Sequence, residues 1–255
     1  MTRIRMVAAL VVLAFATSVT AAPEHARVTR YDNVHIRVAD PGKAVEWYVK
    51  HLGARSDGSN ARVHFGDTVV AIVATKTPQP SAGSVIDHFA VSFADVDARI
   101  RALEAAGIAV KQAQGSGFPK SGFVEDPWGV RIELLQDPAA AGFHHVHLSV
   151  ADPQAVLSWY HERLGGERGK LGGSDGLRYG NMWLLAERSP AAVAPSADRA
   201  IMNVAWRVTD IHRAIAELQA KGVQVVTAPR QIGDLWYAFI EGPDGVRTEL
   251  LQRSK

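Results

Sequence analysis

The stretch FHHVHLSVADP, residues 143–153, places His144, His145 and His147 almost side by side, directly ahead of a helix-start signal. Imidazoles so grouped can ligate a metal ion, act as a pH switch, or stand on a polar sheet face without chemistry. His88, in DHFAVSFADVDA, is a fourth, and the acids Glu133 and Glu249 each precede a Leu-Leu pair in closing segments of the form VRxELLQ. Two imidazoles and a carboxylate on one side of a divalent ion would leave positions open for a substrate's oxygens. The chain has no Cys, which removes thiolate ligands, disulfides and thiol catalysis.

The elements that must position these residues are repeated. VHIRVADPGKAVEWYVKHLG from Val34 returns as VHLSVADPQAVLSWYHERLG from Val146, and FVEDPWGVRIELLQ from Phe123 returns as FIEGPDGVRTELLQ from Phe239. Two similar halves result, at 30–137 and 143–253, joined by DPAAAG. Each half divides again, so that a period-2 strand, an amphipathic helix and further short strands occur four times, with first strands near 33–39, 86–93, 145–151 and 202–208. Asp40, Asp95, Asp152 and Asp210 are placed to cap the four helices, and Gly53, Gly107, Gly165 and Gly222 to end them.

Strand alternation sorts the faces. Val34, Ile36 and Val38 oppose Asn33, His35 and Arg37; Phe89 and Val91 oppose His88, Ala90 and Ser92; Val146, Leu148 and Val150 oppose His145, His147 and Ser149; Val204, Trp206 and Val208 oppose Asn203, Ala205 and Arg207. His144 is expected to point away from His145, as a structural or surface residue. Seven residues before each capping Asp stand Asn33, His88, His145 and Asn203. One equivalent position therefore holds only side chains able to bind a metal or hydrogen-bond a ligand.

This arrangement resembles the vicinal oxygen chelate superfamily, which includes glyoxalase I, extradiol dioxygenases and the fosfomycin- and bleomycin-resistance proteins. The resemblance implies an α+β fold of four βαβββ modules, paired into two half-open β-barrels with helices outside. It also implies metal ligands from the start of the first strand and from the last-strand Glu: His88, His145 and Glu133, with Asn33 and Asn203 as departures. Glu249 and His147 are the candidates for moving a proton, and His35, Asn33 and Asn203 for contacting substrate or supporting the site. The first and third modules carry apolar residues where the others have Glu, a departure from the four-ligand glyoxalase I pattern. The superfamily contains both sequential and crossed module pairings. Crossed pairing, second with third and first with fourth, explains both asparagines by one lost site.

The expected activity is that of a metal-dependent lyase, isomerase or dioxygenase on a small oxygen-bearing molecule, with Zn or Mn favoured over Fe. The alternative is a metal-free protein that sequesters a small ligand, with Trp183, Trp236 and Tyr237 available as an aromatic lining. Residues 1–21 read as a secretory signal: Arg3 and Arg5, an apolar run from about Met6 to Ala16, then small residues ending at Ala21. The expectation is a periplasmic or secreted protein, not held in the membrane after cleavage, and a monomer or homodimer. A net charge of +2 without basic clusters gives no nucleic-acid surface.

Overall fold

The computed structural model describes residues 28–112 and 117–253. The expected signal segment lies outside the described residues.

The first module runs β1 (Val28–Val38), α1 (Pro41–Leu52), β2 (Arg55–Ser56), β3 (Arg62–Phe65) and β4 (Thr68–Ala74). The second is β5 (Ile86–Ser92), α2 (Val96–Ala105), β6 (Lys111–Gln112), β7 (Ser121–Glu125) and β8 (Arg131–Leu135). The third is β9 (Gly142–Val150), α3 (Pro153–Leu164), β10 (Glu167–Leu171), β11 (Ser174–Tyr179) and β12 (Met182–Arg188). The fourth is β13 (Ile201–Val208), α4 (Ile211–Ala220), β14 (Val225–Ile232), β15 (Leu235–Glu241) and β16 (Arg247–Arg253).

Local chemistry sets the helix ends. The carboxylates of Asp40, Asp95, Asp152 and Asp210 each accept a backbone N–H from the first turn that follows, satisfying donors the helix leaves unpaired. Gly53 closes α1 in the left-handed region at φ 68°, which a side chain would disfavour.

The modules pair crosswise. One eight-stranded sheet has the order β14-β15-β16-β13-β1-β4-β3-β2, joining the fourth module to the first; the other, β10-β11-β12-β9-β5-β8-β7-β6, joins the third to the second. At each centre the two first strands run antiparallel, β1 against β13 and β5 against β9. Each first strand also pairs in parallel with the last strand of its own module. The sheets are open rather than closed barrels. Val34, Phe89, Val146 and Val204 on the apolar register are fully buried. Rings from both sheets meet in this core: Tyr31 stacks on Phe143 at 5.7 Å, Phe143 on Phe89 at 5.4 Å, and Trp206 meets Tyr31 edge-on at 5.6 Å.

Both central strand pairs are interrupted. Along β5 and β9, Ile86 faces Leu148 and His88 faces His147, so Asp87 is an inserted residue; Ala90 faces His145 and Val91 faces Phe143, so His144 is another. Along β1 and β13 the same count inserts Asp32 and Met202, and a third residue, Thr29, near the start of β1. Such bulges bend the strand and re-aim the side chains beside them. Asp87, His144, Asp32 and Met202 each immediately precede one of the ligand-register positions, His88, His145, Asn33 or Asn203.

Candidate metal centre

Crossed pairing gathers His88 from β5, Glu133 from β8, and His145 and His147 from β9 onto one cavity of about 170 Å³, also lined by Phe118, Phe123, Arg131, Ser174, Leu185 and Glu187. The ligating atoms of His88, His145 and His147 lie within 4.8 Å of one another. Glu133 Oε2 is 3.2 Å from His145 Nε2 and 3.6 Å from His88 Nε2. His147 lies directly opposite His88 in the strand pair and directly beside Leu185 of β12. Leu185 occupies the place in its module that Glu133 holds in the second, so an imidazole from the neighbouring strand stands where a fourth carboxylate is missing.

Four buried polar atoms in this cavity have no hydrogen-bond partner: Nε2 of His88, of His145 and of His147, and Oε1 of Glu133. Buried polar groups are almost always satisfied, and leaving four unsatisfied together is costly. Three imidazole nitrogens gathered this closely, with the Glu133 carboxylate beside two of them, are the donor set of a divalent transition metal. The residues present therefore fit the ion that the resemblance implies.

The electrostatics agree. Burial alone would raise the Glu133 carboxyl, but the adjoining imidazoles of His145 and His88 reverse this and hold it well below the ordinary carboxylate range. Burial pushes His145 down to about 4. Burial, with His88 and His145 nearby, also holds His147 far below its ordinary value. Burial lowers His88 too, yet its hydrogen bond to Asp87 and the negative charge of nearby Glu133 leave it raised.

His144 does not point away from His145. The bulge turns its ring beside its neighbour, with Nδ1 of the two histidines 2.9 Å apart, and its Nε2 lies 3.2 Å from Asp137 Oδ2. On the facing strand Asp87 Oδ1 is 2.7 Å from His88 Nδ1 and accepts Arg131 at 2.5 Å. The Arg131 guanidinium lies 3.9 Å over the Phe123 ring, which in turn meets His88 edge-on. A signal for both bulges was available: Asp87 and His144 fall on the apolar register of their strands, where a regular strand would bury them in the core.

The remaining expected residues lie in the other sheet. Asn203 Nδ2 donates to Glu249 Oε2 at 3.1 Å, His35 Nε2 is 3.3 Å from the same oxygen, and Asn33 Nδ2 donates to Asp32 Oδ1 at 3.2 Å. Burial pushes Glu249 up to about 8, despite its bond from Asn203, and pushes His35 down to about 4. Glu249 is therefore not a proton carrier at the centre that holds His88, because crossed pairing puts it in the opposite half of the molecule. For the same reason Asn33, Asn203 and His35 do not support that centre. Trp183, Trp236 and Tyr237 do not line the cavity; Phe118 and Phe123 do. Trp236 packs edge-on against His212 of α4.

The family model described as the Glyoxalase/Bleomycin resistance protein/Dioxygenase superfamily matches residues 30–134 and 142–250. The chain belongs to this superfamily. In fold it is similar to glyoxalase I from Zea mays, at 18% identity and a TM-score of 0.69, covering 89% of this chain and 92% of that one. It is also similar to a candidate dioxygenase from Bacillus subtilis subsp. subtilis str. 168, at 14% identity and a TM-score of 0.66, covering 90% and 86%. No curated protein matches the sequence.

Proposed function

We propose that the chain is a metal-dependent enzyme acting on a small oxygen-bearing molecule, as a lyase, isomerase or dioxygenase, with the metal held by His88, His145, His147 and Glu133. The observation that carries this reading is the set of three orphaned, buried imidazole nitrogens within 4.8 Å of one another, in a cavity that Glu133 also lines. When bound, a divalent ion supplies Lewis acidity and a template for substrate oxygens. Zn and Mn suit the mixed imidazole and carboxylate set.

The chain's own residues define the rest. Phe118 and Phe123 give the cavity apolar walls that exclude water and favour a flat or compact substrate. Arg131 spends one N–H on Asp87 and keeps others to orient an anionic oxygen. Glu187, on the cavity rim with 57% of its side chain exposed and Oε2 3.7 Å from His147 Nε2, is placed to take or return a proton. A larger cavity of about 770 Å³, lined by Trp47, Ile108, Lys111 and Pro127, shares Phe123 and Arg131 with the first. Because crossed pairing completes the centre within one chain, a second copy is not required for it.

The test is zinc affinity, measured by competition with a chelator. His88→Ala, Glu133→Ala and His147→Ala should each weaken binding by about a hundredfold or more, since the ligands act together in a fixed geometry. Unchanged affinity in the first two would remove the centre; unchanged affinity in His147→Ala alone would reduce the ligand set to three. We further propose export, from the charged, apolar and small-residue pattern of residues 1–21. Amino-terminal sequencing of the purified protein should begin near Ala22, and an intact Met1 on mature protein would refute cleavage.

A further inference from the structure

We propose that His144 and Asp87, the two bulge residues, are positioning residues that fix the tautomers of His145 and His88 so that both Nε2 lone pairs face the metal. The proposal rests on the metal-centre reading above. A carboxylate can only accept, so the 3.2 Å contact between Asp137 Oδ2 and His144 Nε2 puts the hydrogen on that nitrogen. A neutral imidazole carries one N–H, which leaves His144 Nδ1 as an acceptor. His145 Nδ1, 2.9 Å away, must then be the donor; its Nε2, which lies 3.2 Å from Glu133 Oε2 but makes no hydrogen bond to it, is left bare. On the facing strand Asp87 Oδ1 accepts the Nδ1 hydrogen of His88 at 2.7 Å, which bares His88 Nε2 in the same way. Arg131, bound to that same carboxylate oxygen, keeps Asp87 from turning away.

The other sheet supplies an internal comparison. Its bulges fall at equivalent positions but insert Asp32 and Met202 ahead of Asn33 and Asn203. Asp32 holds Asn33 and Arg207 much as Asp87 holds His88 and Arg131, but Met202 offers no hydrogen-bonding partner of the kind His144 provides. Both members of the orienting pair therefore occur together only where imidazoles stand at the ligand register. A bulge is the device that makes this possible: in a regular strand, neighbouring side chains face opposite sides, and the residue before a ligand could not touch its ring.

The experiment uses the full chain with ¹⁵N-labelled histidine, reading tautomers by long-range ¹H–¹⁵N correlation in the presence of a chelator, and zinc affinity by chelator competition. The metal-free wild type should show Nδ1 protonated and Nε2 bare at His88 and His145. His144→Leu should release the His145 tautomer and weaken zinc binding by roughly ten- to a hundredfold, the range for partners that orient ligating histidines; Asp87→Ala should do the same at His88. His144→Asn places an amide oxygen near the position of Nδ1 and should restore affinity to within about threefold of wild type. Asp137→Ala, a change at a partly exposed residue that leaves the core intact and removes the acceptor for His144 Nε2, should loosen the His145 tautomer if His144→Leu fails to fold. A His145 tautomer unchanged in either His144→Leu or Asp137→Ala, with zinc affinity within about twofold of wild type, overturns the proposal. The tautomer readout is taken without metal, so a wild type that bound no zinc would fail the metal-centre reading separately.

Discussion

Glu249→Gln should stabilise the protein at neutral and mildly alkaline pH. In the folded chain Glu249 is buried, and its carboxyl is raised from 4.5 to about 8 by burial, with Asp32 adding to the effect. Above pH 4.5 the unfolded chain sheds this proton while the folded chain keeps it, so the folded state binds more protons and stability falls as pH rises. The loss accumulates from about pH 4.5 to about pH 8 and then levels off. At about 1.4 kcal/mol per pKa unit, it amounts to roughly 5 kcal/mol across the window and about 3 kcal/mol by pH 7. Glutamine is close to isosteric, stays neutral throughout, and can still accept from Asn203. His35 titrates in the opposite sense: its depressed value adds stability that is present above 6.5 and lost as pH falls toward 4, in both proteins alike. The difference between variant and wild type therefore isolates Glu249. Urea melts followed by Trp fluorescence, at pH 5, 6, 7 and 8 with chelator present, should give curves that coincide near pH 5 and separate by a few kcal/mol at about pH 8. Parallel pH profiles, or a variant less stable at every pH, would refute the reasoning.

Other outcomes follow from the pairing and the turns. Because β5 and β9 come from different sequence halves, fragments covering about 30–138 and 140–255 should each fail to bind zinc as monomers and recover it on mixing; a monomeric first fragment that binds zinc would contradict the crossed centre. Gly129→Ala should cost about 1–3 kcal/mol in chemical denaturation, since φ is +87° and an added Cβ would lie 2.9 Å from Pro80 Cα; a change below about 0.5 kcal/mol would show that the turn adapts.

Most of the architecture could be read from the chain because it is written four times. The capping aspartates, the terminating glycines and the alternation of Val34-Ile36-Val38 recur in register, and each has a local physical cause. His88, His145 and Glu133 were legible as a set once crossed pairing was considered, because one lost centre accounts for both Asn33 and Asn203. The place of His147 in that centre was not, because it depends on the cross-strand register that sets it opposite His88 and beside Leu185. His144 was misplaced for a simpler reason: strict alternation has no term for a bulge, and only its polarity on an apolar register hinted at one. Glu249 carries nearly the same local sequence as Glu133, so motif alone could not separate a candidate ligand from an acid whose carboxyl burial raises to about 8. The difference lies in what faces them: two register imidazoles, His88 and His145, at Glu133, against the Asn203 carboxamide and the single His35 ring at Glu249.

The count of metal ions per chain tests the central claim most directly, because the molecule has two half-barrels of the same topology and only one holds the imidazole cluster. Native mass spectrometry of the full chain, stripped with chelator and reconstituted with excess zinc, should show a single bound ion, lost in His88→Ala and kept in Glu249→Gln. No bound zinc in the wild type, or one ion that survives His88→Ala and departs with Glu249→Gln, would contradict the account.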